Sequence, residues 1–234
     1  EKSGITPHVT QYSDSYTGAA YIFIEDKTGN NAIIVSPGAA ANINDDDITA
    51  NKELIQGSRV FMTQLEQSLD AAATALSFAK KGGAITILNP APAQPLGENI
   101  LKLCDFVTPN EIEAEQITGT PVKSINDAEI AAGKLLEKGA SAAVITLGEQ
   151  GALFKDNNQV IHQPSYEVGP VVETTGAGDA FNGGLAVALA EEMPIDKALR
   201  FACATASISV TRQGTAPSMP DRHEIDTLLK QCSV

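Results

Sequence analysis

At 234 residues and 43% hydrophobic content, the chain can bury a full core within one large α/β domain. A formal net charge of −13 argues against nucleic acid and anionic lipid as partners, because both are polyanions bound through Lys and Arg. The three cysteines, Cys104, Cys203 and Cys232, match no zinc or disulfide spacing and read as reduced cytosolic thiols, and no apolar run reaches the roughly 18–20 residues of a membrane helix. A cytoplasmic protein is therefore expected. The chain opens on Glu1 in a polar stretch with no strand before it, which reads as a fragment or a processed form.

Residues 1–16 form a lead-in. From Thr17 to Ser36 two β-rich runs, Ala-Tyr-Ile-Phe-Ile and Ala-Ile-Ile-Val, flank the Gly-containing turn Lys27–Asn31, which predicts a hairpin. Residues 37–234 then read as one α/β body. Leu69, Ala72, Ala73, Leu76 and Ala79 recur at helical spacing and stop at Gly82, the expected left-handed cap. A second amphipathic helix is expected over Asn126–Lys138, with Ser124 and Asp127 at capping-box spacing and Gly139 closing it. Short apolar runs at Arg59–Leu65, Ala84–Leu88, Phe106–Thr108 and Ala142–Leu147 alternate with these helices and imply βαβ units in a mostly parallel sheet, covered by helices on both faces. From Ala177 onward the chain reads as helical near 177–191, 195–212 and 221–231.

The strand ends carry the first functional signal. Each apolar run gives way to polar or small residues, namely Gln64 and Glu66, Asn89, Asn110, and Gly148. In an open parallel sheet ligands bind at the carboxyl ends of strands, so several runs converge on one edge.

The most informative segment is Glu173-Thr-Thr-Gly-Ala-Gly-Asp179-Ala-Phe-Asn-Gly-Gly184, a Gly-rich turn entering a helix with apolar Phe181, Leu185, Ala188 and Leu189. Backbone amides at such a helix start, pointing outward with no side chains in the way, form an anion site strengthened by the helix dipole, where a transferring phosphoryl group would fit. Asp179 has two readings, a plain helix cap or the base that hydroxyl-to-phosphate transfer needs beside such a site. Gly183 and Gly184 weaken the helix unless a backbone or ligand approaches closely there. No Gly-x-x-x-x-Gly-Lys-Ser/Thr occurs, which excludes a P-loop, and Phe181 stands where a dinucleotide fingerprint needs Gly or Ala.

These segments, taken with Gln64-Leu-Glu66, Asn89-Pro-Ala-Pro-Ala93, Thr108-Pro-Asn-Glu-Ile-Glu-Ala-Glu115, Ile145-Thr-Leu-Gly-Glu-Gln-Gly151 and Arg212-Gln-Gly followed by Pro217-Ser218, resemble the ribokinase-like (PfkB) carbohydrate kinase superfamily along the whole chain. The resemblance implies a three-layer α/β/α sandwich with a small β-hairpin lid. It implies phosphorylation of D-ribose by ATP with Mg²⁺, activation by K⁺ or another monovalent cation, and a homodimer formed through the lid. Asp179 resembles the catalytic base and the 176–178 backbone the anion hole. Asn110 and Glu113 resemble the pair that organises Mg²⁺ and the phosphates through water; as residues alone, they could equally open an ordinary helix. Thr146, Leu147, Gly148, Glu149, Gln150 and Gly151 resemble a nucleotide-binding turn, and Gly178 also matches an ATP contact. Glu66 matches a sugar contact. Cys203 falls where the family commonly has Asn or His beside the adenine. Glu173, Thr175, Ser209, Arg212, Gly214 and Ser218 match the monovalent-cation site, with Glu173 where Asp is usual. The family's N-terminal Asn-x-Asp and Gly-Gly-Lys-Gly-x-Asn sugar motifs have no counterpart here. Two alternatives stand beside the ribose reading: another sugar or nucleoside as substrate, or a non-catalytic nucleotide-binding chain.

Overall fold

The computed structural model describes residues 4–24 and 31–232. Strands β1 (Thr17–Ile24) and β2 (Asn31–Gly38) pair antiparallel in a separate two-stranded sheet, with Ala19 opposite Ser36 and Tyr21 opposite Ile34. This is the expected hairpin; its turn, at Lys27–Asn31, falls outside the described residues except for Asn31. Tyr21, Phe23, Ile34 and Val35 are all exposed on it.

Among the described residues, the main sheet has six strands in sequential order, β3 (Val60–Thr63), β4 (Ile85–Leu88), β5 (Phe106–Val107), β6 (Ala142–Thr146), β7 (Ala152–Lys155) and β8 (Val160–Gln163). The first four run parallel, and β7 and β8 reverse direction as an antiparallel meander. Alternation along β6 sends Ala142 and Val144 to one face and Ala143 and Ile145 to the other, and all four are buried because helices cover both faces.

One covering layer contains α3 (Leu69–Gly82), α4 (Glu98–Leu101), α5 (Glu111–Thr118) and α6 (Ile125–Glu137). The opposite layer holds α7 (Ala177–Ala190), α8 (Ile195–Ser209) and α9 (Arg222–Gln231). Two short helices, α1 (Asp45–Ala50) and α2 (Lys52–Gln56), lead from the hairpin into β3. The architecture is the expected three-layer sandwich.

Two details differ from the sequence reading. The left-handed residue closing α3 is Gly83 (φ 85°), not Gly82. Gly82 is the last helical residue, and a Cβ on it would lie 2.2 Å from the Gln56 carbonyl oxygen, so α2 rather than the cap demands that glycine. In α6, Ser124 does accept from the Asp127 amide at 3.2 Å, but the Asp127 carboxylate takes the Lys123 amide and the Ser124 hydroxyl.

The tight fit of α7 on α8 explains one of the paired glycines. A Cβ on Gly184 would meet Thr205 Oγ1 at 2.7 Å and the Ala202 Cα at 3.0 Å, whereas one on Gly183 would meet nothing within 4 Å.

Candidate active site

The carboxyl ends of β4, β5 and β6 open onto a cavity of about 170 Å³, lined by Asn89, Thr108, Asn110, Glu113, Thr146 and, from the start of α7, Gly176, Gly178, Asp179 and Asn182, with Ala91 completing the wall. Parallel pairing aligns these strand ends. An isolated bridge joins Asn110 to Thr146, and the Asn89 Nδ2 donates to the Thr108 carbonyl at 3.0 Å.

α7 begins at Gly176, whose left-handed φ of 80° turns the loop into the helix axis. Its first intrahelical bond runs from the Ala180 amide to the Gly176 carbonyl at 2.8 Å, so the Gly178 and Asp179 amides fall in the turn whose donors have no partner within the helix. Ala177 differs from its neighbours here, because its amide donates to the Thr174 carbonyl at 3.1 Å. The Asp179 side chain is exposed and makes no cap hydrogen bond. The capping alternative for Asp179 therefore has no bond to rest on.

Asn110 and Glu113 do cap α5. Asn110 Oδ1 accepts from the Glu113 amide and Glu113 Oε2 accepts from the Asn110 amide, both at 2.8 Å. They also line the cavity, so the helix-capping role does not exclude a part in the site. Burial pushes the Glu113 carboxyl above the ordinary carboxylate range; the Asn110 amide opposes that shift and the neighbouring Glu111 adds to it.

The remaining expected positions do not line this cavity. Gly148–Gln150 form a 3₁₀ turn after β6, preceded by Leu147 and closed by Gly151 at φ 89°. Cys203 sits buried on α8, its thiol 3.8 Å from the Gln163 carbonyl and pushed up to about 12 by burial. Glu66 is exposed beyond β3 and does not line the cavity.

Behind the loop into α7, the Val172 and Glu173 amides both donate to the Val210 carbonyl, and Glu173 Oε2 accepts from the Gly214 amide at 2.8 Å. That amide, then the Thr175 hydroxyl, hold the Glu173 carboxyl below its ordinary range. Glu173, Thr175, Ser209 and Ser218 are all buried polar groups. Ser209 and Ser218 donate their hydroxyls to the Ala206 and Thr215 carbonyls, leaving oxygen lone pairs for a cation. The Arg212 guanidinium is engaged by Glu224, so its carbonyl is what it could offer. The bonds of Glu173 to Gly214 and of the Val172 and Glu173 amides to Val210 hold the 172–175 segment against 209–218.

Thr108 and Asn182 were not anticipated as site residues. Asn182 lies within the quoted motif one turn after Asp179, a polar residue among the apolar positions of α7, and that was its only signal.

The family model described as "pfkB family carbohydrate kinase" matches residues 1–222. The chain belongs to the pfkB family of carbohydrate kinases. Among pfkB relatives, a ribokinase of Haemophilus influenzae is 38% identical over 221 residues, spanning 94% of this chain and 71% of the relative. A deoxyribokinase of Salmonella typhimurium is 34% identical over 225 residues, spanning 96% of this chain and 73% of the relative. The structure of Arabidopsis thaliana ribokinase complexed with ribose and ATP superposes with a TM-score of 0.83 at 31% identity, covering 93% of this chain and 70% of that one.

Proposed function

We propose that this pfkB carbohydrate kinase transfers the γ-phosphoryl group of ATP to the 5-hydroxyl of D-ribose, with Asp179 as general base. The observation that carries the reading is the juxtaposition at the start of α7: an exposed carboxylate without a cap bond beside amides that lack helical partners. A base there removes the hydroxyl proton while the amides and the positive end of α7 stabilise charge on the phosphoryl group. The names of similar proteins support ribose as acceptor, and the deoxyribokinase relative favours 2-deoxyribose as a second candidate.

Asn110 and Glu113 would hold Mg²⁺ through water, and the metal, when bound, neutralises phosphate charge. Their capping bonds fix both side chains at the cavity before any ligand arrives. The Gly148–Gly151 turn would receive the nucleotide, with Cys203 as an apolar wall near the adenine. Glu173, Thr175, Ser209, Ser218 and the backbone at Arg212 and Gly214 would hold K⁺ and thereby order the 173–179 loop. Glu66 would contact the sugar, and the β1–β2 hairpin, with its exposed aromatic residues, would cover it and pair with a second copy.

Asp179→Asn tests the assignment in the protein at its native length. It keeps size and shape but removes the base, so phosphorylation of ribose and 2-deoxyribose should fall about 10²- to 10⁴-fold while ATP affinity and melting temperature are kept. Near-normal turnover would remove Asp179 from the chemistry, and a preference for 2-deoxyribose in the parent would reassign the acceptor.

A further inference from the structure

Among the described residues, two buried side-chain oxygens lack any hydrogen-bond partner, Thr108 Oγ1 and Asn182 Oδ1. Neither oxygen offers a ligand any surface. Asn182, 2% exposed in the second turn of α7, nevertheless lines the cavity, so the polar atom it presents there is its amide nitrogen Nδ2. Among the described residues that nitrogen has no acceptor. A buried acceptor without a bond is costly, and the neighbours of Asn182 on α7 are apolar, with Phe181, Leu185 and Ala188 all in the core. A leucine would avoid that cost. No bond inside the fold accounts for an asparagine here, and the donor it presents to the cavity does.

That donor stands in particular company. The Gly178 and Asp179 amides have no partner within the helix, and Gly178, Asp179 and Asn182 line the same cavity. Asn182 follows Asp179 by three residues, which makes them neighbours on the helix surface. Donors gathered at the positive end of a helix select an anionic acceptor over a neutral one. A sugar hydroxyl needs no such donor, because Asp179 is already there to accept from it. The Glu113 and Asp179 carboxylates on the same wall oppose an anion, so the one admitted is one that arrives with its own cation.

Building on the phosphotransfer reading, we propose that Asn182 Nδ2 donates to a non-bridging oxygen of the phosphoryl group during transfer, as a side-chain member of the anion hole. In that step the sugar oxygen bonds to phosphorus, the bond from phosphorus to the ADP oxygen breaks, and the hydroxyl proton passes to Asp179. Charge is spread over the non-bridging oxygens as the group crosses, so a donor already fixed by packing stabilises the crossing rather than the bound ADP.

The test uses the protein at its native length with ribose and 2-deoxyribose as acceptors. Asn182→Leu is near-isosteric and removes the donor, Asn182→Ala removes it without adding branched bulk, and Asn182→Asp replaces it with a carboxylate. Each is measured for kcat, for melting temperature, for calorimetric affinity toward ADP with Mg²⁺, and for affinity toward the same mixture with sugar and aluminium fluoride, which mimics the planar transferring group. The Leu and Ala variants should lose about 10²- to 10³-fold in kcat, as removal of one oxyanion-hole donor does, and a comparable factor toward the mimic, with affinity for ADP kept. The Leu variant should melt at or above the parent temperature, because the orphaned oxygen is gone. Asn182→Asp should turn over more slowly than either, since a carboxylate repels the phosphoryl oxygens. Parent-like kcat in a folded Leu or Ala variant would overturn the proposal. Equal losses toward ADP and the mimic would also overturn it, because they would put Asn182 on the nucleotide's own phosphates or in a purely structural role. A parent that phosphorylates neither sugar would instead sink the phosphotransfer reading, and the proposal with it.

Discussion

Gly183 and Gly184 are neighbours in one helix, yet alanine at each should move stability in opposite directions. Both substitutions gain the same intrinsic helix preference, about 1 kcal/mol. At Gly183 nothing stands within 4 Å of the new methyl, so the gain is kept. At Gly184 the methyl would lie 2.7 Å from Thr205 Oγ1 and 3.0 Å from the Ala202 Cα. Thr205 cannot swing aside without giving up its 2.8 Å bond to the Phe201 carbonyl, and Ala202 offers backbone. Overpacking of this kind costs about 1–3 kcal/mol. Because the helix preference cancels, the difference between the variants isolates that cost. For a chain of this size each kcal/mol moves the midpoint by about 2–4 °C, so Gly183→Ala should melt about 2–12 °C above Gly184→Ala. Thermal unfolding followed by circular dichroism, with urea titration to check that the m-value is unchanged, measures it. Midpoints within 1 °C, or in reverse order, would refute the view that α8 presses on α7 at that point.

The Glu113 carboxyl, raised by burial, binds its proton more tightly in the folded than in the unfolded chain, so its ionisation opposes folding as pH climbs from the ordinary carboxylate range through the raised value. Glu113→Gln should remove that decline from a pH series of melting temperatures and abolish Mg²⁺-dependent ADP binding; an unaltered pH series would contradict it. Glu173 has the opposite sign: its lowered pKa gives stability that is complete above the ordinary carboxylate range and lost as pH falls through the depressed value, so Glu173→Gln should flatten the acid limb. K⁺ in place of Na⁺ should raise turnover, and a flat response across Li⁺, Na⁺, K⁺ and Cs⁺ would remove the monovalent-cation assignment.

The long elements were legible because period carries them: α3, α6 and α7 each bury a stripe of Ala and Leu at helical spacing, and β6 is a continuous apolar run. The meander β7–β8 escaped notice although Asp156-Asn157-Asn158 marks its turn, because the strands have four residues each and β8 is only partly buried. The polar helices α1 and α2 escaped for a related reason, since Ile55 is their only buried residue. In the site, the polar strand ends Asn89 and Asn110 did converge, whereas Glu66, from the edge strand β3, did not reach the cavity. Thr108 and Asn182 could not be singled out in advance. An orphaned oxygen is a property of surroundings, and residue type does not reveal it.

The reversal of the sheet at β7 bears on the order in which the chain assembles. Partners within the meander are close in sequence, Thr146 with Ala152 and Lys155 with Val160, while β5 finds β6 across the span from Phe106 to Ala142. Closing a loop about six times longer costs roughly 1.5 kcal/mol more in chain entropy. Residues 142–163 should therefore nucleate locally and acquire amide protection ahead of the parallel strands. The Gly148–Gly151 turn lies inside that early unit, so the turn proposed to receive the nucleotide would form before the chain that carries Asp179 has packed onto the sheet.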